Sequence, residues 1–201
     1  MSKMANIVFW YVDYARKRYP ATFQLIDSLK DKYNIHLEEI QKDEVRGAYR
    51  VLKKYWNKGE DIMLIDQDML PTENDLVDIL KCEEPYGCQG YFSLPFDVQY
   101  SNSGDYPEPV VRYRMDDLDK GMYKKSEFWG TGFTKIRKEI QLGDFEITDF
   151  KLYTKWNICA DIMIYDYLYK TLGFHPAFHI HGKIKHLHTP DNTEWDGGNR
   201  W

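Results

Sequence analysis

Asp61-Ile62-Met63-Leu64-Ile65-Asp66-Gln67-Asp68 decides how this chain is read. Five residues, DIMLI, form a short apolar run of strand length. Two carboxylates one residue apart then follow, with Leu70-Pro71 just beyond. Unpaired carboxylates are rarely buried, so this pair does not belong in a core. It suits a hard divalent cation, which takes oxygen ligands and leaves room for phosphate. Taken alone the motif is weak. The chain has 32 acidic residues, and a second D-x-D, Asp117-Leu118-Asp119, lies in a charged stretch with no strand before it. That second copy reads as a solvated turn.

Upstream of DIMLI the pattern is regular. ANIVFWYV (5–12) reads as a buried strand. A helix opened by Pro20 follows, with Phe23, Ile26, Leu29 and Tyr33 at three- and four-residue steps. NIHLEEI (34–40) reads as a second strand. A second helix from about Asp43 carries Val45, Ala48, Leu52, Tyr55 and Trp56, with Gly59 placed to end it. Strand, helix, strand, helix, strand predicts an α/β domain with a mostly parallel central sheet flanked by helices. Ligands of such sheets bind beyond the C-terminal strand ends, where Asp66 and Asp68 fall.

Downstream, Thr72 and Asp75 form a capping-box pattern, and a strand is expected from Tyr86 to Leu94. Ser101 to Lys125 is long for a loop, a length often used to cover ligands. A strand or turn is expected around Phe128 to Ile136, a helix from Cys159 to Leu172 ended by Gly173, and one strand from Phe174 to His188.

Composition narrows the function classes. With 201 residues, 43% of them hydrophobic, the chain can bury one sizeable core. A net charge of −5 argues against a broad nucleic-acid-binding surface. Cys82, Cys88 and Cys159 show no C-x-x-C spacing and cannot all pair, which suggests a reduced, cytoplasmic protein. The apolar run Ile7 to Val12 is too short for a transmembrane segment or a signal-peptide core.

Two further features carry chemistry. Asp161 falls within the apolar face of its helix, in the first turn. It reads either as a carboxylate satisfied by amides at the helix N-terminus or as a general base facing a cleft. FHIHGKIKHLH (178–188) holds four of the six histidines. Strand parity sets His186 and His188 with the apolar residues and leaves His179 and His181 on the solvated side. A lone inward histidine is more often hydrogen-bonded core than a ligand. No H-E-x-x-H or cysteine pairing supports zinc, so Mn²⁺ or Mg²⁺ fits better.

In this order, the D-x-D, WGTGFTKIRKE (129–139), ADIMIYDYLYKTLGF (160–174) and IKHLH (184–188) resemble glycosyltransferases of the GT-A fold, similar to family 2 enzymes. The compact size is similar to that of small archaeal-virus-encoded members. The resemblance covers about Ile7 to His188. It implies a single Rossmann-like domain over residues 1–188, with the tail at 189–201 as a lid over the donor. It implies that Asp66 and Asp68 hold metal and nucleotide-sugar, with His186, or alternatively His188, as a further ligand. Asp161 becomes the base of an inverting transfer, although Ala160 stands where the family usually has Glu. Gly130, Thr131 and Gly132 meet the donor sugar and acceptor. Tyr11, Asp13, Gln41 and Arg46 lie near the nucleotide, and Trp129 and Trp195 are secondary candidates for stacking on sugar. The implied donor is a UDP- or GDP-sugar and the implied acceptor a glycan, protein or lipid-linked hydroxyl. A nucleotidyltransferase is disfavoured because VDYARKRYP has no glycine. A binding protein without catalysis remains the alternative, and a zinc hydrolase is a third reading.

Overall fold

The structure, a computed structural model, describes residues 5–40, 44–90, 125–126, 130–148, 150, 160–174, 176–180 and 184–187. Strand β1 (Ala5–Val12) is followed by a short helix α1 (Ala15–Arg18) and by α2 (Pro20–Tyr33). Pro20 occupies the first turn of α2, where its missing N–H costs nothing. Asn34 ends that helix in the left-handed conformation, φ 52°, and its N–H donates to the Lys30 carbonyl. Then come β2 (Ile35–Ile40), α3 (Glu44–Tyr55) and β3 (Asp61–Asp66). Helix α3 stops before Gly59; Asn57, at φ 53°, makes the turn first. After β4 (Met69–Leu70), α4 (Glu73–Lys81) opens with the reciprocal Thr72–Asp75 capping box.

Strands β1, β2 and β3 pair in parallel, in the order β2-β1-β3. From β1 the chain moves one way to β2 and then back across to β3. Right-handed crossovers then put α2 and α3 on opposite faces, and the order reverses between β1 and β3, the switch point at whose C-terminal side such sheets form a ligand crevice. The β1 side chains show which helix they meet. Phe9 packs edge-on against Phe23 of α2 at 5.0 Å, and Tyr11 does the same at 5.2 Å. Phe9, Phe23 and Ile26 are almost fully buried, each contributing about 1.5–3 kcal/mol of hydrophobic stabilisation.

The sheet continues with β5 (Gly87–Gln89), β6 (Lys125–Ser126), β7 (Phe133–Ile136) and β8 (Phe178–Ile180). Among the described residues it has seven strands in the order β2-β1-β3-β7-β5-β8-β6. This is an α/β domain of Rossmann-like layout with a mixed sheet. β7 runs antiparallel to both β3 and β5, β5 is parallel to β8, and β6 is antiparallel to β8. Helix α5 (Ala160–Leu172) packs against α3 and ends at Gly173, φ 79°.

Two sequence expectations are corrected. The single strand from Phe174 to His188 is two: β8 joins the main sheet, while β9 (Lys185–His186) leaves it and pairs antiparallel with β4. Parity counted along one continuous strand therefore does not apply to the histidines. The cysteines also differ from the reading as reduced thiols. Cys82 and Cys88 are joined in a disulfide with a Cα–Cα separation of 6.5 Å. It links the C-cap of α4 to β5; Cys159 lies outside the described residues.

A buried ionic cluster locks the opposite end of β3. Lys135, 3% exposed, donates from Nζ to the carbonyls of Leu80 at 2.7 Å and Cys82 at 2.9 Å, and lies 3.3 Å from Asp61 Oδ2. Asp61 also accepts from the Lys138 N–H at 2.9 Å. Lys135 and Asp61 thus each have partners, as burial demands. Among the described residues no helix is long and apolar enough to cross a membrane.

Candidate functional site at the end of strand β3

The D-x-D loop leaves the sheet at the β1/β3 crevice. Asp66 is the last residue of β3 and pairs in register with Trp10. Beyond that register the Gln67 side chain continues the link between the two strands: its Oε1 accepts from the Val12 N–H at 2.8 Å. Gln67, just beyond the end of β3, therefore reaches back to β1. Its own N–H donates to Asp66 Oδ1 at 2.9 Å. Asp66 and Asp68 are both half-buried.

The antiparallel direction of β7 has a consequence here. Its first residue, Phe133, lies opposite Ile65, so the preceding Gly130-Thr131-Gly132 turn arrives at the same end as the acids. A parallel β7 would have put that turn at the other edge. The Asp66 N–H donates to the Gly132 carbonyl at 2.6 Å. Thr131 is buried, and both its N–H, at 3.1 Å, and its hydroxyl donate to Asp161 Oδ1. The Thr134 hydroxyl donates to the Gly130 carbonyl and fixes the turn from the strand side.

Segment 184–187 closes the group. The Ile184 N–H donates to the Gly90 carbonyl at 3.0 Å, and the Gly90 N–H to the Phe133 carbonyl at 2.9 Å. The Leu187 N–H donates to the Asp68 carbonyl at 2.7 Å, and His186 pairs in register with Met69. Gly90 suits this crossing because a Cβ there would come 2.2 Å from Ile184 Cδ1 and 2.6 Å from Phe133 Cδ1. Asp66, Asp68, the G-T-G turn, Asp161 and the His186 backbone are thus tied by direct hydrogen bonds or strand pairing.

The other predicted residues are placed differently. Tyr11 is half-buried, stacked on Phe9 at 5.6 Å and edge-on to Phe23, so much of its ring is core. Asp13 is exposed just beyond β1. Arg46, in the first turn of α3, has its guanidinium 5.6 Å from the Phe150 ring centroid. Gln41, Trp129, His188 and Trp195 lie outside the described residues, as do the long stretch from Ser101 and the tail.

Three residues were missed from sequence: Gln67, Tyr19 and Arg18. Tyr19, buried, precedes α2, which packs against β4 just after the D-x-D. Burial pushes the Tyr19 hydroxyl above its ordinary pKa; the Asp68 charge adds to this, Arg18 opposes it, and Asp66 contributes further. Tyr19 is thus within electrostatic reach of both acids. The signal for it, an Arg-Tyr-Pro run directly after the first strand, is visible only once the crevice is known.

As a metal site, Asp66 and Asp68 offer hard carboxylate oxygens of the type that Mg²⁺ or Mn²⁺ takes, and such ions keep several waters. No group of three or more His, Cys, Asp or Glu among the described residues could hold a metal ion by itself.

No protein-family model matches the chain, and no curated protein matches it. Among solved structures, the crystal structure of A197 from STIV aligns over 98% of this chain and 97% of that chain, with 17% identity and a TM-score of 0.44.

Proposed function

We propose that the chain is a metal-dependent glycosyltransferase of the GT-A type. It would move a sugar from a UDP- or GDP-sugar to an acceptor hydroxyl, with inversion. The acceptor would be a glycan, a protein or a lipid-linked sugar. One observation carries this reading. Four segments far apart in sequence are tied at one crevice through the Asp66–Gly132, Thr131–Asp161 and Leu187–Asp68 hydrogen bonds. An α/β sheet binds its ligand at such a switch point.

The residues would divide the work as follows. Asp66 and Asp68, with His186 as a further candidate, would hold Mn²⁺ or Mg²⁺, which supplies positive charge beside the leaving diphosphate. Asp161 would take the proton from the acceptor hydroxyl as that oxygen attacks the anomeric carbon. Thr131 would keep the Asp161 carboxylate oriented through two donors on one oxygen. The tail at 189–201 would cover the donor.

The same two donors also favour the second reading, a sugar-nucleotide-binding protein without catalysis, because they occupy Asp161 Oδ1. Calorimetry with UDP- and GDP-sugars and Mn²⁺, followed by an assay of nucleotide release with and without acceptors, separates the two. Asp68→Ala should abolish metal-dependent donor binding. Asp161→Ala should leave binding nearly intact and remove transfer. Wild-type transfer by Asp161→Ala would sink the base assignment.

A further inference from the structure

We propose that Arg18 is the protein's own cation for the diphosphate of the bound nucleotide, placed opposite the metal-holding acids at the β1/β3 crevice. This inference rests on the donor-site reading above and assigns a role to a residue outside the motifs that suggested it.

Charge balance supplies the motive. Two aspartates cancel the two charges of a divalent ion, so the ion and its ligands together are neutral. A departing nucleoside diphosphate then needs a further cation. The segment Arg16-Lys17-Arg18 follows the C-terminal end of β1, the strand paired in parallel with β3. Its members are not equivalent. Arg16 is engaged: Nη1 lies 2.9 Å from Asp27 Oδ2, and the guanidinium sits 4.6 Å from the Phe23 ring centroid. Lys17 is exposed. Arg18 is half-buried, with its guanidinium 5.4 Å from the Tyr19 ring centroid, and its Nε is buried with no hydrogen-bond partner.

A buried orphan donor on a guanidinium calls for a reason. The Nε–H and one Nη–H of arginine form a planar fork that fits two phosphate oxygens at once. Stacking on Tyr19 fixes the plane of that fork before any ligand arrives. The Tyr19 hydroxyl in turn feels the charges of Asp68 and Asp66 as well as that of Arg18. The helix α1 that carries Arg18 starts three residues after Val12, the residue that Gln67 ties to the D-x-D loop. A phosphate between Arg18 and the acids would satisfy the orphan donor.

The test is calorimetric titration of the full chain with UDP, GDP, UMP and GMP in Mn²⁺, for wild type, Arg18→Met and Arg18→Lys. Methionine keeps much of the side-chain length and removes charge and fork. Wild type should favour a diphosphate over its monophosphate. Arg18→Met should weaken diphosphate binding about tenfold or more and narrow that preference, the loss of a charged hydrogen-bonded pair. Arg18→Lys should recover part of the affinity, since charge returns without the fork. An unchanged preference in a folded Arg18→Met protein, checked by thermal melting, would overturn the assignment and leave the donor-site reading standing. If wild type binds none of the nucleotides, the donor-site reading falls, and the role of Arg18 with it.

Discussion

Replacing Thr131 with valine removes one hydroxyl from the centre of the candidate site and changes little else. Valine keeps the β-branched shape and a similar volume. The Thr131 N–H bond to Asp161, 3.1 Å, survives because it belongs to the backbone. What is lost is the hydroxyl bond to the same carboxylate oxygen. Hydrogen bonds to charged groups contribute about 1.5–3 kcal/mol. Thr131 is 1% exposed but Asp161 is only half-buried, so water can replace part of the loss on the acid's side. The lower end applies, about 1.5 kcal/mol. Chemical denaturation should show a lower midpoint with an unchanged slope. A cycle with Asp161→Ala isolates the pair, and the coupling should be about 1 kcal/mol. Additivity within about 0.3 kcal/mol would show that the hydroxyl and carboxylate do not interact in solution. The link between the G-T-G turn and α5 would then rest on one backbone bond. In a transfer assay Thr131→Val should lower kcat and leave the donor's affinity nearly unchanged.

Lys135→Met should destabilise the domain by about 3 kcal/mol in the same assay. It strips a buried cation from Asp61 and orphans the Leu80 and Cys82 carbonyls at the end of α4. Gly90→Ala should cost about 1–3 kcal/mol by overpacking, and trimming Ile184 to valine in the same chain should recover part of it. Tyr55 has its hydroxyl pushed up to about 12 by burial and by its bond to the Glu38 carboxylate. Its folded-state pKa thus lies above the unfolded value. The neutral phenol stabilises the fold below pH 10, and that contribution is lost as pH rises from about 10 to about 12. Denaturation midpoints across this range should fall less steeply for Tyr55→Phe than for wild type.

Where local chemistry decides the structure, the sequence is easy to read. Pro20 marks a helix start because it lacks an N–H that the first turn does not need. Thr72 and Asp75 mark another because each satisfies the other's backbone donor. The run 5–12 and the stretch 61–66 are apolar enough to be strands buried on both faces. What escapes is whatever depends on a distant partner. Nothing in Phe133–Ile136 says that it runs antiparallel between β3 and β5, because direction is set by the connections around it. The histidine segment was harder. Parity assumes one unbroken strand, whereas segment 184–187 turns to pair with Met69-Leu70 and takes its register from β4. Gln67 was invisible for the same reason: the side chain between two acids acts on Val12, 55 residues earlier.

The ties between the site's segments are mostly backbone to backbone. Asp66 is tied to the G-T-G turn by its N–H and Asp68 to segment 184–187 by its carbonyl, so neither of these two ties uses a carboxylate. Asp161 differs, because its side chain itself takes the tie to Thr131. A carboxylate that only builds structure and one that also accepts a proton respond differently to Asp161→Asn. The amide oxygen still accepts from Thr131, so a structural acid would lose little stability and no function. A base would lose transfer with the fold intact. The hydrogen bond that makes Asp161 look structural therefore makes the asparagine variant a clean test of chemistry.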